Sequence, residues 1–413
     1  MKPRALFAAF LAVFGVTSAS AQVSSSVSAN QRGLGAYKEG HYVEAEAFFR
    51  DALRQAAEFG EFEPRFASAL NNLATALEGE GRYSEAEPLF RRALVIWESA
   101  LEPNYRELAT TLHNLATLYN KKGQYSDAES LLRRALLIQE RINGPEHLDV
   151  GLSLHSLALA CDLQGKQKEA LALYERALVV LEKVVGPEHP YVASVLANLA
   201  SLHQDQGGYA AADRLLRHAL SIEERSHGSE HQRVAVVLSR LAALEYDQQE
   251  YAGAESLYRR AMAIWEKQPG RETLDFATSL ENFGVLYLDE RRYDDARALF
   301  KRASAVKEKL LGPGHLEVGE SLTKLALAEL RLGHDAEAEP VCQRALSILE
   351  NISPPDYPTL INALKTYALV LIRTKRKAEA ELLQARAMVY RAKFERSKNQ
   401  KRKEKPSHSA AAF

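Results

Sequence analysis

The sequence predicts an all-α protein, a solenoid of nine stacked helix pairs, and three observations predict it. The first is a segment, YSEAEPLFRRAL, at positions 83–94, which returns as YSDAESLLRRAL from Tyr125 and as YAGAESLYRRAM from Tyr251. The second is its spacing, which is 42 residues throughout except for a first interval of 41. With the weaker copies included, the segment starts at positions 42, 83, 125, 167, 209, 251, 293, 335 and 377. A fixed period of this length is typical of a repeat array.

The third observation is the helical periodicity inside each copy. In the second repeat, apolar side chains with the spacing of one helix face precede Gly81, and they are Leu70, Leu73, Ala74 and Leu77. A second stripe with the same period follows Gly81 and consists of Tyr83, Ala86, Phe90 and Ala93. Two such helices joined by a short turn form an antiparallel pair. Because one pair cannot bury all its apolar surface alone, neighbouring pairs must stack.

The order Leu-Ala, Gly, Tyr, Ala, aromatic or Leu, Ala resembles the tetratricopeptide repeat, and the resemblance extends over residues 29–390. The 42-residue period, the NNLA sequence and the Gly-Pro-Glu-His connector are similar to the kinesin-light-chain subtype. The resemblance implies a right-handed superhelical solenoid of about nine helix-turn-helix units. It also implies that the first helix of each repeat, here called helix A, lines a concave groove. The second helix of each repeat is called helix B.

The connectors between repeats carry two recurrent residue types. Glycine follows helix B at Gly144, Gly186, Gly228, Gly270 and Gly312, where we expect left-handed caps. Histidine recurs at His147, His189, His231 and His315. A metal site is not expected, because adjacent copies in a stack lie about 10 Å apart whereas zinc ligands lie within about 2 Å of the metal. We expect these histidines to help begin the next helix A.

The first 21 residues have the features of a secretory signal peptide. Lys2 and Arg4 precede an apolar run, Ala5–Val16, and Ala19-Ser20-Ala21 matches a cleavage site. The run is too short to span a membrane. We therefore expect residues 1–21 to be removed, residues 22–28 to form a polar leader, and the mature chain to be exported to a bacterial periplasm or beyond without spanning a membrane.

Charge and cysteine content limit the possible partners. The chain has 53 basic and 54 acidic residues, and no nucleic-acid partner is expected. Residues 391–413 comprise the end of the last helix and a basic tail, which we expect to be disordered. This tail is either simply solvated or in weak contact with an anionic surface. Cys161 and Cys342 lie four repeats apart, so both are expected to be buried free thiols.

The sequence contains no motif that indicates catalysis or a cofactor. It has no Gly-rich phosphate loop, no CxxC and no HExxH. Its acidic residues fall on periodic helix surfaces rather than around one cleft. We therefore predict a protein that is not an enzyme and that has no catalytic residues, cofactor or metal.

Candidate binding residues lie on helix A, beside the core stripe. Asparagine recurs in one register at Asn72, Asn114, Asn198 and Asn282, whereas Ser156, Arg240, Lys324 and Thr366 interrupt the series. An amide both donates and accepts hydrogen bonds. The resemblance implies that these amides hold the backbone of an extended peptide. We expect that replacing them would leave the core untouched.

Charged residues occupy a second register on the same face. Asp205, Asp247 and Asp289 occur in consecutive repeats, and Arg331 and Arg373 follow them. Such a pattern would orient a bound chain by charge complementarity, and a chance distribution is the alternative.

These features together predict an exported scaffold or assembly factor that binds a peptide or protein partner in the groove. Two alternatives remain from the sequence. One is an enzyme, or an enzyme-associated subunit of cell-envelope metabolism. The other is a structural spacer in an envelope complex.

Overall fold

The computed structural model describes residues 24–100, 104–267, 272–352 and 355–403, and all regular secondary structure in these ranges is α-helical. The chain divides into two compact units, Met1–Gln268 (unit 1) and Pro269–Phe413 (unit 2). The signal peptide predicted for residues 1–21 lies outside the described residues. None of the described helices combines the length and the apolar character that a membrane crossing requires.

Each unit is a row of helix pairs, with helix A first and helix B second in each pair. Unit 1 contains α1 (Ser24–Lys38), α2 (Tyr42–Ala57), α3 (Pro64–Gly79), α4 (Tyr83–Ser99), α5 (Tyr105–Lys121), α6 (Tyr125–Asn143), α7 (Leu148–Leu163), α8 (Gln167–Val185), α9 (Pro190–Asp205), α10 (Tyr209–His227), α11 (Gln232–Asp247) and α12 (Tyr251–Lys267). Unit 2 contains α13 (Leu274–Asp289), α14 (Tyr293–Leu311), α15 (Leu316–Leu332), α16 (Asp335–Glu350), α17 (Tyr357–Arg373) and α18 (Lys377–Lys403). Within a unit, each helix packs against the helix before it and the helix after it. The predicted all-α solenoid of helix pairs is confirmed.

The core of each unit runs along the row and consists of the two predicted stripes. In the second repeat, Ala86, Phe90 and Ala93 are completely buried. Small alanines let the helix backbones approach closely, and the aromatic ring fills the space between neighbouring repeats. Leu199 and Ala200 of the fifth repeat are also buried among helices.

The turn from helix A to helix B depends on a positive backbone φ angle. At Gly81 φ is +79°, and the N–H of the next residue, Arg82, donates to the carbonyl of Leu77 at 2.8 Å. Together with the bond from the Gly81 N–H to the Glu78 carbonyl, this forms a Schellman cap. The cap ends helix A after the same number of turns in each repeat.

The connector from helix B to the next helix A differs from the expectation for its glycines. Gly144, Gly186, Gly228 and Gly312 have φ of 82° to 89°, but their ψ of 155° to 164° is extended. The predicted left-handed caps are therefore wrong at these four positions, and Gly270 lies outside the described residues. Positive φ with extended ψ is open essentially only to glycine, and it turns the chain directly away from helix B.

The connector histidines begin the next helix, as predicted. The ring Nδ1 of His147, His189, His231 and His315 accepts a hydrogen bond from the backbone N–H two residues later, at 3.1 to 3.3 Å. Each ring thus satisfies one of the N–H groups that a helix start leaves without an intrahelical partner.

The two ends of the described chain are more helical than the sequence suggests. Helix α1 begins at Ser24, inside the segment predicted as a polar leader, and α18 continues to Lys403, through much of the basic segment. Lysine, arginine and glutamine are good helix formers, so a helix already begun can continue through them. Residues 404–413 of the predicted tail lie outside the described residues.

Candidate functional site

The nine predicted binding residues all lie on helices A, but they divide between the two units. Unit 1 holds Asn72 on α3, Asn114 on α5, Asn198 and Asp205 on α9, and Asp247 on α11. Unit 2 holds Asn282 and Asp289 on α13, Arg331 on α15 and Arg373 on α17. They therefore form two separate candidate surfaces.

In unit 1, polar side chains of one helix A meet side chains 43 residues later on the next helix A. Four such contacts join Asn71 to Asn114 at 3.1 Å, Glu78 to Lys121 at 2.8 Å, His155 to Asn198 at 2.7 Å, and Gln204 to Asp247 at 2.8 Å. The step equals one repeat plus one residue. These contacts link consecutive repeats, and they occupy part of the hydrogen-bonding capacity that the sequence assigned to a ligand.

Asn198 is the most fully engaged of the predicted amides. It is 5% exposed, its Nδ2 lies 2.7 Å from His155 Nε2, and its Oδ1 accepts from Arg240 at 2.9 Å. Burial, with a smaller contribution from Arg240, lowers the pKa of His155 to about 3, so the ring is neutral and can accept from the amide. The expectation that replacing the asparagines leaves the core untouched is therefore wrong for Asn198.

The other three amides differ in how much capacity they keep. Asn72 donates to Asn30 at 2.8 Å and accepts from Asn71 at 3.4 Å. Asn114 donates to Asn71, but its Oδ1 accepts no hydrogen bond from the described residues. The half-buried Asn282 amide makes no hydrogen bond with the described residues of the chain. Open amide groups thus remain at Asn114 in unit 1 and at Asn282 in unit 2.

Unit 1 also carries a negative region on helices A. Asp205 is exposed, and Asp247 accepts from Gln204. Asp162, which the sequence analysis did not identify, also lies beside Asp205. Burial and the charge of Asp205 raise the pKa of Asp162 to about 6. The signal that would have found Asp162 is the 43-residue step, which relates it to Asp205.

The charged residues of unit 2 have different surroundings. Asp289 and Arg331 are both exposed, and Arg331 makes no ion pair with the described residues. Arg373 pairs with Asp335 at 3.1 Å and donates to the carbonyl of Leu330. Arg331 is therefore the predicted cation in unit 2 that keeps its charge available to a ligand.

A buried ionic cluster beneath this face was not predicted. The Glu281 carboxylate lies 3.1 Å from the Lys307 ammonium and 2.7 Å from that of Lys324. Burial opposes ionisation of Glu281, but the two lysines outweigh it and lower its pKa to about 2. Glu281 and Lys324 are again 43 residues apart, so the same step links α13 to α15.

Both cysteines are free and buried, which confirms the sequence analysis. Donor atoms of Cys161, Glu129 and Glu169 lie within 4.8 Å of one another. However, Glu129 is already paired with Arg133 and Lys166. Burial raises the pKa of the Cys161 thiol to about 12, so it stays protonated. The surroundings of these three groups therefore favour internal ion pairs over a metal ion.

Comparison with known families identifies the class of protein. The tetratricopeptide repeat family matches seven overlapping segments, at residues 24–99, 65–136, 107–183, 168–225, 191–267, 233–309 and 275–351. These segments cover most of the chain without a gap. The chain belongs to the tetratricopeptide repeat family.

Solved structures with this fold include proteins of several kinds. A Rap protein complexed with Competence and Sporulation Factor is 14% identical, with a TM-score of 0.62, over 90% of this chain and 99% of that one. The apo form of the quorum sensor NprR from B. thuringiensis is 13% identical, with a TM-score of 0.56, over 88% and 98%. BtubC (BKLC) from P. vanneervenii is 25% identical, with a TM-score of 0.43, over 57% and 93%. None of the curated proteins compared matches the chain.

Proposed function

We propose that this chain is an exported, non-enzymatic scaffold or assembly factor that binds an extended segment of a protein partner along its helices A. Repeat arrays of this family typically serve as interaction scaffolds. The similar Rap protein was solved in complex with Competence and Sporulation Factor, and this supports the idea that such an array can hold a partner. Export is proposed from Lys2, Arg4 and the Ala19-Ser20-Ala21 sequence.

The observation that carries the binding proposal is the open hydrogen-bonding capacity of Asn114 and Asn282. Both amides lie on helices A at the same position within the repeat, and both keep groups that the described residues do not use. An amide can pair with the N–H and C=O of any peptide, so it holds a backbone whatever its side chains are. The partner segment would therefore bind in an extended form.

The charges on helices A add a preference for particular side chains. In unit 1, Asp205 and Asp247 favour basic side chains on the ligand. In unit 2, the exposed Arg331 favours an acidic group, because a guanidinium forms paired hydrogen bonds with a carboxylate. Both preferences weaken with salt, since exposed charges are screened over about 10 Å at 0.1 M.

The test begins with peptides selected from a random displayed library against the full chain. Affinity of a selected, labelled peptide is then measured for wild type and for two single variants, Asn114→Ala in unit 1 and Asn282→Ala in unit 2. Loss of one hydrogen bond of about 0.5–1.5 kcal/mol weakens the binding of a peptide held by that unit by roughly 2- to 13-fold, and the variant in the other unit should leave its affinity unchanged. Gln384→Ala, an exposed amide on helix B α18, is the matched control and should leave affinity unchanged.

The charge preference has its own readout in the same titration. The double variant Asp205→Asn with Asp247→Asn should weaken the binding of a basic peptide at low salt. It should have little effect on that affinity at high salt. Wild-type affinity in both single asparagine variants and in the double aspartate variant, at both salt concentrations, would contradict binding along helices A.

A further inference from the structure

Neighbouring helices A of unit 1 meet near their C-terminal ends through pairs of residues that lie 43 positions apart. Between α3 and α5 this pair is Glu78 and Lys121, which form an ion pair at 2.8 Å. Between α7 and α9 the same position holds two acids, Asp162 and Asp205. The same contact between repeats therefore joins opposite charges in one place and like charges in the other. The two acids are called the acid pair.

The Asp162 carboxylate has no partner that offsets the charge of Asp205. It is partly buried, and it makes no hydrogen bond or ion pair with the described residues of the chain. Burial and the charge of Asp205 raise the pKa of Asp162 to about 6, so at neutral pH the fold holds this carboxylate in a charged form that its surroundings disfavour. Unfavourable arrangements of this kind concentrate at functional sites.

A second group without a partner lies close to Asp162. The side chain of Tyr174 on α8 is completely buried, and its hydroxyl makes no hydrogen bond within the part of the chain that the structure describes. Burial raises the pKa of Tyr174, and the charge of Asp162 raises it further, so the two groups are neighbours. Buried polar groups are normally hydrogen-bonded. The fold thus leaves a carboxylate and an adjacent hydroxyl unsatisfied at one place.

We propose that the acid pair, Asp162 with Asp205, holds one basic side chain of the bound peptide. The ammonium or guanidinium of the peptide takes the place that Lys121 occupies beside Glu78 two repeats earlier. A cation there donates hydrogen bonds to both carboxylates and removes the repulsion between them, so the ligand relieves an unfavourable contact of the fold. This inference rests on the proposed peptide binding along helices A, and it adds Asp162 as a residue that determines specificity.

The test is a double-mutant cycle between the full chain and a peptide. Peptides are selected from a library whose members each carry one lysine, and one that Asn114→Ala binds more weakly is chosen, because Asn114 lies on α5 of unit 1. Its affinity for wild type and for Asp162→Asn is measured at pH 8 and low salt, with the lysine intact or replaced by norleucine. Each single change should weaken binding by about 10- to 100-fold, the range for a hydrogen bond to a charged group. Both changes together should weaken it little more than either one alone.

Two further variants separate a local contact from a general charge effect and from a change in the fold. Glu175→Gln removes one negative charge from the exposed surface of helix B α8 in the same repeat, and it should leave the affinity within about twofold of wild type. Asp205→Lys should form an ion pair with Asp162, as lysine does at the equivalent position of repeat three. The urea midpoint of unfolding should then rise while the affinity for the lysine peptide falls. A role of the acid pair in folding alone would not move stability and affinity in opposite directions.

Two results of the cycle would overturn the inference. One is an Asp162→Asn variant that binds the lysine peptide as tightly as wild type does, and the other is a norleucine peptide that loses as much affinity for the variant as for wild type. In either case the weakening by Asn114→Ala would leave peptide binding along helices A intact. If Asn114→Ala weakens none of the selected peptides, the proposed binding in unit 1 fails, and the role of the acid pair fails with it.

Discussion

The buried ionic cluster of unit 2 yields a prediction whose size can be derived from the structure. Glu281 and Lys307 are almost completely buried, and Glu281 also contacts Lys324. Glu281→Ala removes the carboxylate and leaves Glu317, at 3.1 Å, as the ion-pair partner of the Lys307 ammonium among the described residues. Removing one partner of a buried pair costs about 3–5 kcal/mol, and because Glu317 remains we expect a cost of about 3 kcal/mol here.

The pKa of Glu281 measures a related quantity, which is how strongly the fold favours the charged carboxylate over the protonated one. Its carboxyl titrates at about 2 in the folded chain and at 4.5 when unperturbed. Because the folded pKa is the lower of the two, the stabilisation is present above pH 4.5 and is lost as the pH falls toward 2. At about 1.4 kcal/mol for each pKa unit, it amounts to about 3 kcal/mol at neutral pH.

The decisive variant combines Glu281→Ala with Lys307→Leu. Leucine already occupies the Lys307 position in repeats four and eight, as Leu181 and Leu349, so the stack accepts it. Replacing a buried ion pair by apolar residues is often nearly neutral. We therefore expect the single change to destabilise by about 3 kcal/mol and the double change to stay within about 1 kcal/mol of wild type.

The assay is urea unfolding of the full chain, combined with hydrogen exchange over α13 to α15, because repeat arrays unfold locally. The matched single variant Lys307→Leu should lower the free energy of unfolding by less than Glu281→Ala does, because Lys324 still pairs with Glu281. A double variant as unstable as Glu281→Ala alone would refute the reasoning.

Three further predictions concern other parts of the chain. Burial raises the pKa of Glu223 to about 7 although Arg233 lies 3.9 Å away, so folding loses stability as the pH rises from 4.5 to about 7. Glu223→Gln should then stabilise the folded chain by up to about 3 kcal/mol near pH 8 and by almost nothing near pH 4, as measured by urea titration at each pH. A variant that is less stable than wild type near pH 8 would contradict this prediction. Ala200→Glu places an unpaired charge among buried side chains. Hydrogen exchange should speed up over residues 148–267 before global unfolding, and an unchanged pattern would show that the contact is unimportant. If the chain is exported, mass spectrometry of the protein from its host should find an N-terminus near Gln22, whereas an intact Met1 in a cytosolic pool would exclude export.

The fold could be predicted because each repeat contacts only its neighbours within a unit. One apolar period and one glycine turn, read at Tyr83 and Gly81, therefore define the local packing of every repeat. The connector histidines were also predictable, because a polar side chain just before a helix can accept a hydrogen bond from one of the first N–H groups of that helix. The extended ψ of Gly144 was not, because glycine permits both positive-φ conformations and the sequence does not say which is used.

The candidate site was less predictable, because its contacts depend on the rotation between neighbouring helices A. A 42-residue period places Asn198 in register with Asn114, but it does not reveal the 43-residue step that joins Asn198 to His155. The same limitation hid Asp162. Lys307 was missed for another reason, since a lysine on helix B resembles a surface residue until its buried partners are known.

The position of a bound peptide tests the central claim most directly. A selected peptide carrying a photoreactive residue at each position in turn is cross-linked to the full chain, and the adducts are mapped by mass spectrometry. Binding along helices A predicts adducts on α5 and α9, near Asn114 and Asn198, for a peptide held by unit 1, or on α13, near Asn282, for a peptide held by unit 2. Adducts confined to helices B, with Asn114 and Asn282 unlabelled at every position, would contradict it.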